Sequence, residues 1–344
     1  MVRILHVKLS EVHAFKGSIE VLHPILPEAN WEFRRTETVD SDSDVEESIR
    51  KQDKSNKKSK KDKKSKKDKE KKGGKVIMGG MKIMALDTSK SILTYFKLDA
   101  DKFAEFECKM PKHVIGVNMI KFYKMIKGMD KEDSLTMYVD SDKPDTLCME
   151  LESVKSHGDK KKGPQSDIKL SLLDLDEDDY EIPPTDFEAR IIMSLNTFSK
   201  KCKDLQSIAD LVEIQCTPTC MTLKCKDSSD SHEIKFPYDT DSQDDNDVII
   251  EFSKKAKTKT AIVQGIYELK HLVCFSKCIS FCLDIEIFMK NDYPLVIRFM
   301  VASLGRLYLC LTPIKAKGAE DVELEDDFED EDEYYDEAII SMKE

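Results

Sequence analysis

The chain has 344 residues, 40% hydrophobic and 35% charged, with a formal net charge of −12. That length accommodates two ordinary domains with real cores, and the charge excludes a uniformly basic nucleic-acid binder. The sum conceals a segregation: residues 50–75 hold fifteen Lys or Arg against four acids, and residues 320–344 hold fourteen acids against Lys343 alone.

In chain order, the first predicted element is the helix in "EVHAFKGSIEVLHPIL". Its Val12, Phe15, Ile19, Leu22, Ile25 and Leu26 recur at a helical period. "NWEFRR" follows as a strand. Residues 37–79, built around "KKSKKDKKSKKDKEKKGGK", have too little apolar surface to fold and are expected as a solvated insertion. "MKIMALD" resumes as a strand, "GVNMIKFYKMIKGM" is expected as a second helix, and "SLTMYVD", "TLCMELE" and "IKLSLL" alternate like antiparallel strands.

The pattern then repeats about 180 residues on. "TFSKKCKDLQSIAD" places Phe198, Cys202, Leu205 and Ile208 on a helix, and "LVEIQC" and "MTLKC" follow as strands. A fourth helix is expected in "GIYELKHLVCFSKCI", and further strands in "DVIIEF", "SFCLDIEIFMK", "PLVIRFMVA" and "RLYLCLTPI". Four helices and many short strands in two units make a duplicated α+β chain. The acidic end, residues 317–344, is expected to be disordered.

At the join lies "LLDLDEDDYEIPPTDF", residues 172–187, with six acids in its first ten positions. An island of Tyr180, Ile182, Pro183 and Pro184 then ends at Phe187. It reads as a solvated connector that displays a fixed apolar spot, and the bland alternative is anchoring of the loop to the core.

The polar faces of the four helices carry Lys16 and His23; Lys121, Lys124 and Lys127; Lys200 and Lys203; and Lys270 and Lys277. Spacings of three, four and seven put each set on one side. One basic helical face is ordinary, but four equivalent ones in an acidic body point to a surface that attracts phosphate without reading bases. Ten cysteines are scattered, and neither Cys216/Cys220/Cys225 nor Cys274/Cys278/Cys282 has zinc-ribbon spacing, so core packing is expected and no metal or cofactor. "MVRILHVKLS" lacks a secretory h-region and no run of 18 apolar residues occurs, so a reducing compartment and no membrane span are expected. No GxxxxGK[ST] motif occurs, and the richest acidic runs fall in a linker and a tail, too mobile to fix paired metals, so no enzymatic activity is expected.

These blocks resemble the proliferating cell nuclear antigen family, the DNA sliding clamps, in the family's order. "GMKIMALDTSKSILTYF" is similar to its strand-and-loop motif, "GVNMIKFYKMIKG" to its first basic helix, and "SDIKLSLLDLDEDDYEIPPTDFEARI" to its domain end and connecting loop. "TFSKKCKDLQSIADLVEIQC" and "YELKHLVCFSKC" resemble its second-domain helices, and "YPLVIRFMVASLGRLYLCLTPI" its last strands. The resemblance implies a clamp fold of two similar domains, 1–170 and 188–316, joined by 171–187, in a ring of three copies around duplex DNA. Helices would line the hole, with Lys16, Lys124, Lys127, Lys200, Lys203, Lys270 and Lys277 facing DNA; Gly17 and Ser207 depart from the family's basic residues there.

It also implies a pocket for partner peptides at Leu86, Leu93, Tyr180, Ile182, Pro183, Phe187, Pro294, Leu311, Thr312 and Pro313. Lys90, Ser91 and Cys310 depart from its usual lining, which implies an altered peptide preference. Copies would join along edges Ile168–Leu172 and Ser231–Tyr238, with Ile168, Leu170, Leu172, Ile234 and Phe236 in the seam. The implied partners are double-stranded DNA, a DNA polymerase and other peptide-bearing proteins, and a clamp loader, in a nucleus or a viral cytoplasmic replication compartment. The lysine insertion is expected on the face away from the pocket, where it would attract DNA, serve as a nuclear localisation patch or solubilise. The competing reading is an acidic-tailed chaperone or scaffold that forms no ring.

Overall fold

The computed structural model describes residues 2–10, 12–39, 75–153, 165–177, 180, 185–226, 230–239, 248–253 and 261–314. The acidic tail and most of the lysine insertion lie outside these residues.

The first repeat runs β1 (Arg3–Leu9), α1 (Val12–Leu22), β2 (Glu28–Arg34), β3 (Glu37–Val39), β4 (Lys75–Ile77), β5 (Gly80–Leu86), β6 (Ile92–Asp99), β7 (Glu105–Cys108) and β8 (Lys112–Asn118). It closes with α2 (Met119–Ile126), β9 (Ser134–Asp140), β10 (Lys143–Glu152) and β11 (Gln165–Ser171). The second runs β12 (Ala189–Ser194), α3 (Leu195–Gln206), β13 (Leu211–Thr217), β14 (Cys220–Lys226), β15 (Ser231–Pro237), β16 (Val248–Phe252) and β17 (Val263–Glu268). It ends with α4 (Leu269–Phe275), β18 (Asp284–Met289), β19 (Leu295–Val301) and β20 (Gly305–Leu311). Apart from the β3–β4 ribbon, every strand and α-helix of the first repeat has its counterpart in the second.

The sheets make the duplication explicit. In the first repeat β11-β10-β9-β1-β7 is one sheet, and the counterpart order β20-β19-β18-β12-β16 recurs in the second. Likewise β6-β5-β2-β8 matches β15-β14-β13-β17. One junction joins the halves: β20 pairs antiparallel with β6, Gly305 opposite Leu98 through Leu311 opposite Ile92, so a single nine-stranded sheet crosses both repeats. Inward residues alternate along each strand, as period-two burial requires. In β6 these are Ile92, Thr94, Phe96 and Leu98, and in β20 Leu307, Leu309 and Leu311.

Several expected boundaries move. "GVN" of the second predicted helix is the end of β8, because its backbone is held by β2, and α2 starts only at Met119 with Asn118 Oδ1 accepting from Lys121 N (2.9 Å). Ile25 and Leu26 fall in the turn after α1, and Ile208 lies just past α3. The fourth helix stops at Phe275 and continues as a 3₁₀ turn, Ser276–Ser280. The predicted insertion 37–79 begins and ends in structure: Glu37 pairs with Ile77 and Val39 with Lys75. Gly79 and Gly80 follow because a Cβ on Gly79 would lie 2.3 Å from Arg34 O, and Gly80 (φ 149°) would put one 2.1 Å from Leu98 O.

An aromatic knot fixes the helices of the first repeat. Trp31 on β2 meets Phe122 of α2 edge-on at 4.7 Å and Phe15 of α1 at 6.2 Å, and its Nε1–H donates to Met119 Sδ (3.2 Å). All three rings are fully buried. Trp31→Ala is expected to destabilise the fold by about 3–5 kcal/mol, read as a lowered midpoint in denaturant melts.

Candidate nucleic-acid interface and partner pocket

The four helices form one layer. α1 packs on α2, α3 on α4, and the 3₁₀ turn after α4 touches both α1 and α3. His13 Nε2 hydrogen-bonds Ser280 O at 2.9 Å across the two repeats. Gly17 sits at this crossing: a Cβ there would lie 2.7 Å from Ser280 Oγ and 2.9 Å from Phe281. The departure at Gly17 thus reflects close helix approach, and a lysine there would wedge the repeats apart. Ser207 caps α3, its hydroxyl donating to Asp204 O (2.6 Å).

Lys121, Lys124, Lys127, Lys200, Lys203, Lys270 and Lys277 are exposed on this layer. Lys270 Nζ lies 2.6 Å from Glu268. Lys16 differs. Its half-buried ammonium donates to Met129 O (2.6 Å) and Lys127 O (3.5 Å), so it serves first as a cation at the C-terminal end of α2. His23 stacks on Tyr123 (4.5 Å between ring centroids), and burial, then the Lys277 ammonium, pushes its pKa down. Neutral His23 therefore adds no charge to the layer at neutral pH.

On the outer face, register aligns an apolar row. Leu86 pairs with Leu93, Leu93 with Cys310, Cys310 with Val296, and Val296 with Phe288, across five strands and the junction of the repeats. Phe187 closes one end, 5.5 Å from Phe288 and 5.7 Å from Tyr293, and Thr185 Oγ1 lies 2.8 Å from Tyr293 O–H. Pro294 and Pro313 are half-buried and Thr312 is exposed.

Leu311 is a correction: it points inward opposite Ile92 and is 1% exposed, so Cys310 takes the outward place. Ile182 and Pro183 fall outside the described residues. Phe288 and Val296 are part of the row without having been predicted; the outward parity of β18 and β19 was the available signal.

The connector is seated on the edge of β8. Leu173 N donates to Gly116 O (2.8 Å), and a Cβ on Gly116 would lie 2.3 Å from Leu173 O. Further along, Asn30 Nδ2 donates to Asp176 O (2.9 Å) and Lys112 Nζ meets Glu177 at 2.7 Å. Leu175, Asp176, Glu177 and Tyr180 there roof a cleft of about 330 Å³ over Met84 and Leu86. Glu32 lies beneath; burial pushes its carboxyl up, but Arg34, Lys82 and Lys112 outweigh that and hold its pKa down.

The β5–β6 turn beside Leu86 and Leu93 is organised by Asp87, whose Oδ1 accepts from Ser91 N and Ile92 N, both 2.7 Å. Burial raises its pKa, yet the Ser89 hydroxyl and these amides prevail and hold it below the ordinary 3.8. A depressed folded pKa gives stability that is present above the unfolded value and lost as pH falls through the folded one. The turn is therefore expected to loosen below about pH 4, and Asp87→Asn to abolish that step. Hydrogen exchange at Ser91 and Ile92 across pH reads it.

β11 and β15 end their sheets. Leu170 and Phe236 are buried, while Ile168, Leu172 and Ile234 are half-buried along these rims. In the cysteine sets Cys216, Cys225, Cys278 and Cys282 are buried in the core while Cys220 and Cys274 are half-buried; burial pushes the thiol pKa of Cys216 up to about 12 and that of Cys278 up as well.

Two family models match in tandem: "Proliferating cell nuclear antigen, N-terminal domain" over residues 75–179 and "Proliferating cell nuclear antigen, C-terminal domain" over 181–314. The chain is 30% identical over 233 residues to the "Probable DNA polymerase sliding clamp" of Acanthamoeba polyphaga mimivirus, covering 68% of this chain and 47% of that protein. It thus spans about half the length of that relative. It is 24% identical over 247 residues to "Probable DNA polymerase sliding clamp 1" of Paramecium bursaria Chlorella virus 1, covering 68% and 84%. With the "Proliferating cell nuclear antigen" of Chaetomium thermophilum it shares 27% identity over 232 residues, covering 67% and 84%. The tandem matches fall on the two repeats that the sheets define, and the chain belongs to the proliferating cell nuclear antigen family.

Proposed function

We propose that the chain is a DNA polymerase processivity factor: a sliding clamp that closes with two further copies around duplex DNA. One observation carries the reading. The internal junction pairs β20 with β6, and their counterparts, β11 and β15, are both edge strands among the described residues. Repeating that junction between copies joins β11 of one to β15 of the next and so pairs both of these edges. In the counterpart register, Ile168 faces His232 and Ser166 faces Ile234, as Leu309 faces Thr94 and Leu307 faces Phe96 within the chain. On the solvent side Asp167 then faces Glu233, and Lys169 and Lys235 flank that like-charged pair diagonally as its counter-charges.

The exposed helix lysines hold phosphates without sequence preference, and the apolar row with its acidic connector receives an aromatic peptide anchor from a polymerase or other replication protein. The working division is 1–170 and 188–316 for the clamp domains, 171–187 for the connector and 317–344 for the tail. The clamp performs no reaction, is placed on DNA by a loader, and acts in the nucleus or in a viral replication compartment. After loading, it is expected to stay on nicked circular plasmid and to leave once the plasmid is linearised. Retention indifferent to linearisation would favour the scaffold reading.

A further inference from the structure

The two repeats end alike. Three residues after Leu170 the chain reaches Leu173, whose N–H donates to Gly116 O on β8 at 2.8 Å. Three residues after its counterpart, Leu311, the chain reaches Ile314, whose N–H donates to Ile266 O on β17, also at 2.8 Å. Gly116 and Ile266 are themselves counterparts, since Trp31 pairs with Ile115 and Ile214 with Gly265. Ile314 is thus held on the edge of β17 as Leu173 is held on the edge of β8.

The side chains on the two faces differ in a directed manner. Under the connector, Tyr180 lines the cleft with Met84 and Leu86. Counting on from Ile314 as from Leu173, the counterpart of Tyr180 is Asp321, with Glu320 before it. The counterparts of Met84 and Leu86 are Lys224 and Lys226, because Ile83 and Leu223 hold equivalent places opposite Trp31 and Ile214. Lys224 stands between Glu213 and Glu233 across the strands, donates to Gln215 Oε1 (3.0 Å) and lies 3.8 Å from Glu233, so of the two the cation left open is Lys226. Lys226 is exposed, at the border of an open depression of about 380 Å³ lined also by Gln206 to Leu211. Leu211 and Ile262, which expose apolar surface on this face, stand where the first face carries Glu28 and Lys112.

We propose that the first part of the acidic tail, residues 317–326, docks on its own second domain as a second connector, with Glu320 and Asp321 on the exposed Lys226, beside Lys224. The face equivalent to the connector cleft is then occupied by the chain itself, so of the two equivalent outer grooves only the first is left to partners. The proposal holds whether or not copies close into a ring.

Carbodiimide coupling of the full chain, read by peptide mass spectrometry on a mixture of heavy- and light-isotope protein, tests it. The expected result is links from Lys224 or Lys226 to Glu320, Asp321 or Glu323 within one chain. Links of these acids to Lys121, Lys124, Lys200 or Lys203, or between chains, would overturn it, as would their absence. Acetylation gives a second reading. In the full chain carrying E320Q, D321N and E323Q, labelling of Lys226 is expected to rise severalfold, while Lys143, on the other domain, stays constant. Unchanged labelling of Lys226 would also overturn the proposal.

Discussion

Ile168→Lys is expected to leave the chain as a single 39.5 kDa species at micromolar concentration, where the unaltered chain sediments at about three times that mass. Within one chain Ile168 is half-buried at the rim of β11, but its counterpart Leu309 is fully buried at the β20–β6 junction. Closing a seam would bury the side chain to the same extent, beside Ile234 and opposite His232. A lysine there forfeits the apolar transfer and strands a charge, about 3 kcal/mol per seam, or roughly two orders of magnitude in each contact's equilibrium constant. A ring repeats that loss at each junction. An unaltered sedimentation coefficient for the variant would place the contact between copies elsewhere.

Reversing Lys124, Lys127, Lys200 and Lys203 to Glu is the second large effect. Each phosphate contact contributes about 0.9 to the slope of log affinity against log salt. Removing four is expected to lower that slope by about 3–4 and to weaken DNA retention at least 100-fold near 0.1 M salt. The four side chains are exposed and outside the cores, so the melting midpoint should stay close to that of the unaltered chain. Lys16 makes the contrast. With its ammonium bound to the carbonyls of Lys127 and Met129, Lys16→Ala is expected to cost stability of α2 more than salt slope. A fluorescence-anisotropy titration at several salt concentrations separates the two classes.

The duplication was legible because period and order repeat in the residues themselves: Phe15 and Phe198 head equivalent helices, and alternating runs recur in the same sequence. The clustering of lysines on helical faces was legible for the same reason. What the sequence did not disclose was three-dimensional proximity. Nothing local in "HAFKGS" says that Gly17 meets Ser280, 263 positions away. The inward turn of Leu311 depends on its pairing with Ile92, in a strand of the other repeat. Apolar, adjacent to Thr312 and Pro313, Leu311 looked like lining until parity was fixed by that partner. The ends of the insertion were missed because three-residue strands carry no period, and only mutual pairing makes 37–39 and 75–77 regular.

The continuity of β20 with β6 has a mechanical corollary. Seven consecutive cross-strand partners weld the halves of each chain into one stiff plate, whereas neighbouring plates would touch only through detachable rims. In the proposed ring, admitting DNA would therefore call for parting at a rim rather than flexing within a subunit. A cross-link between Leu98 and Gly305 should leave entry untouched, while one bridging adjacent copies should lock the gate.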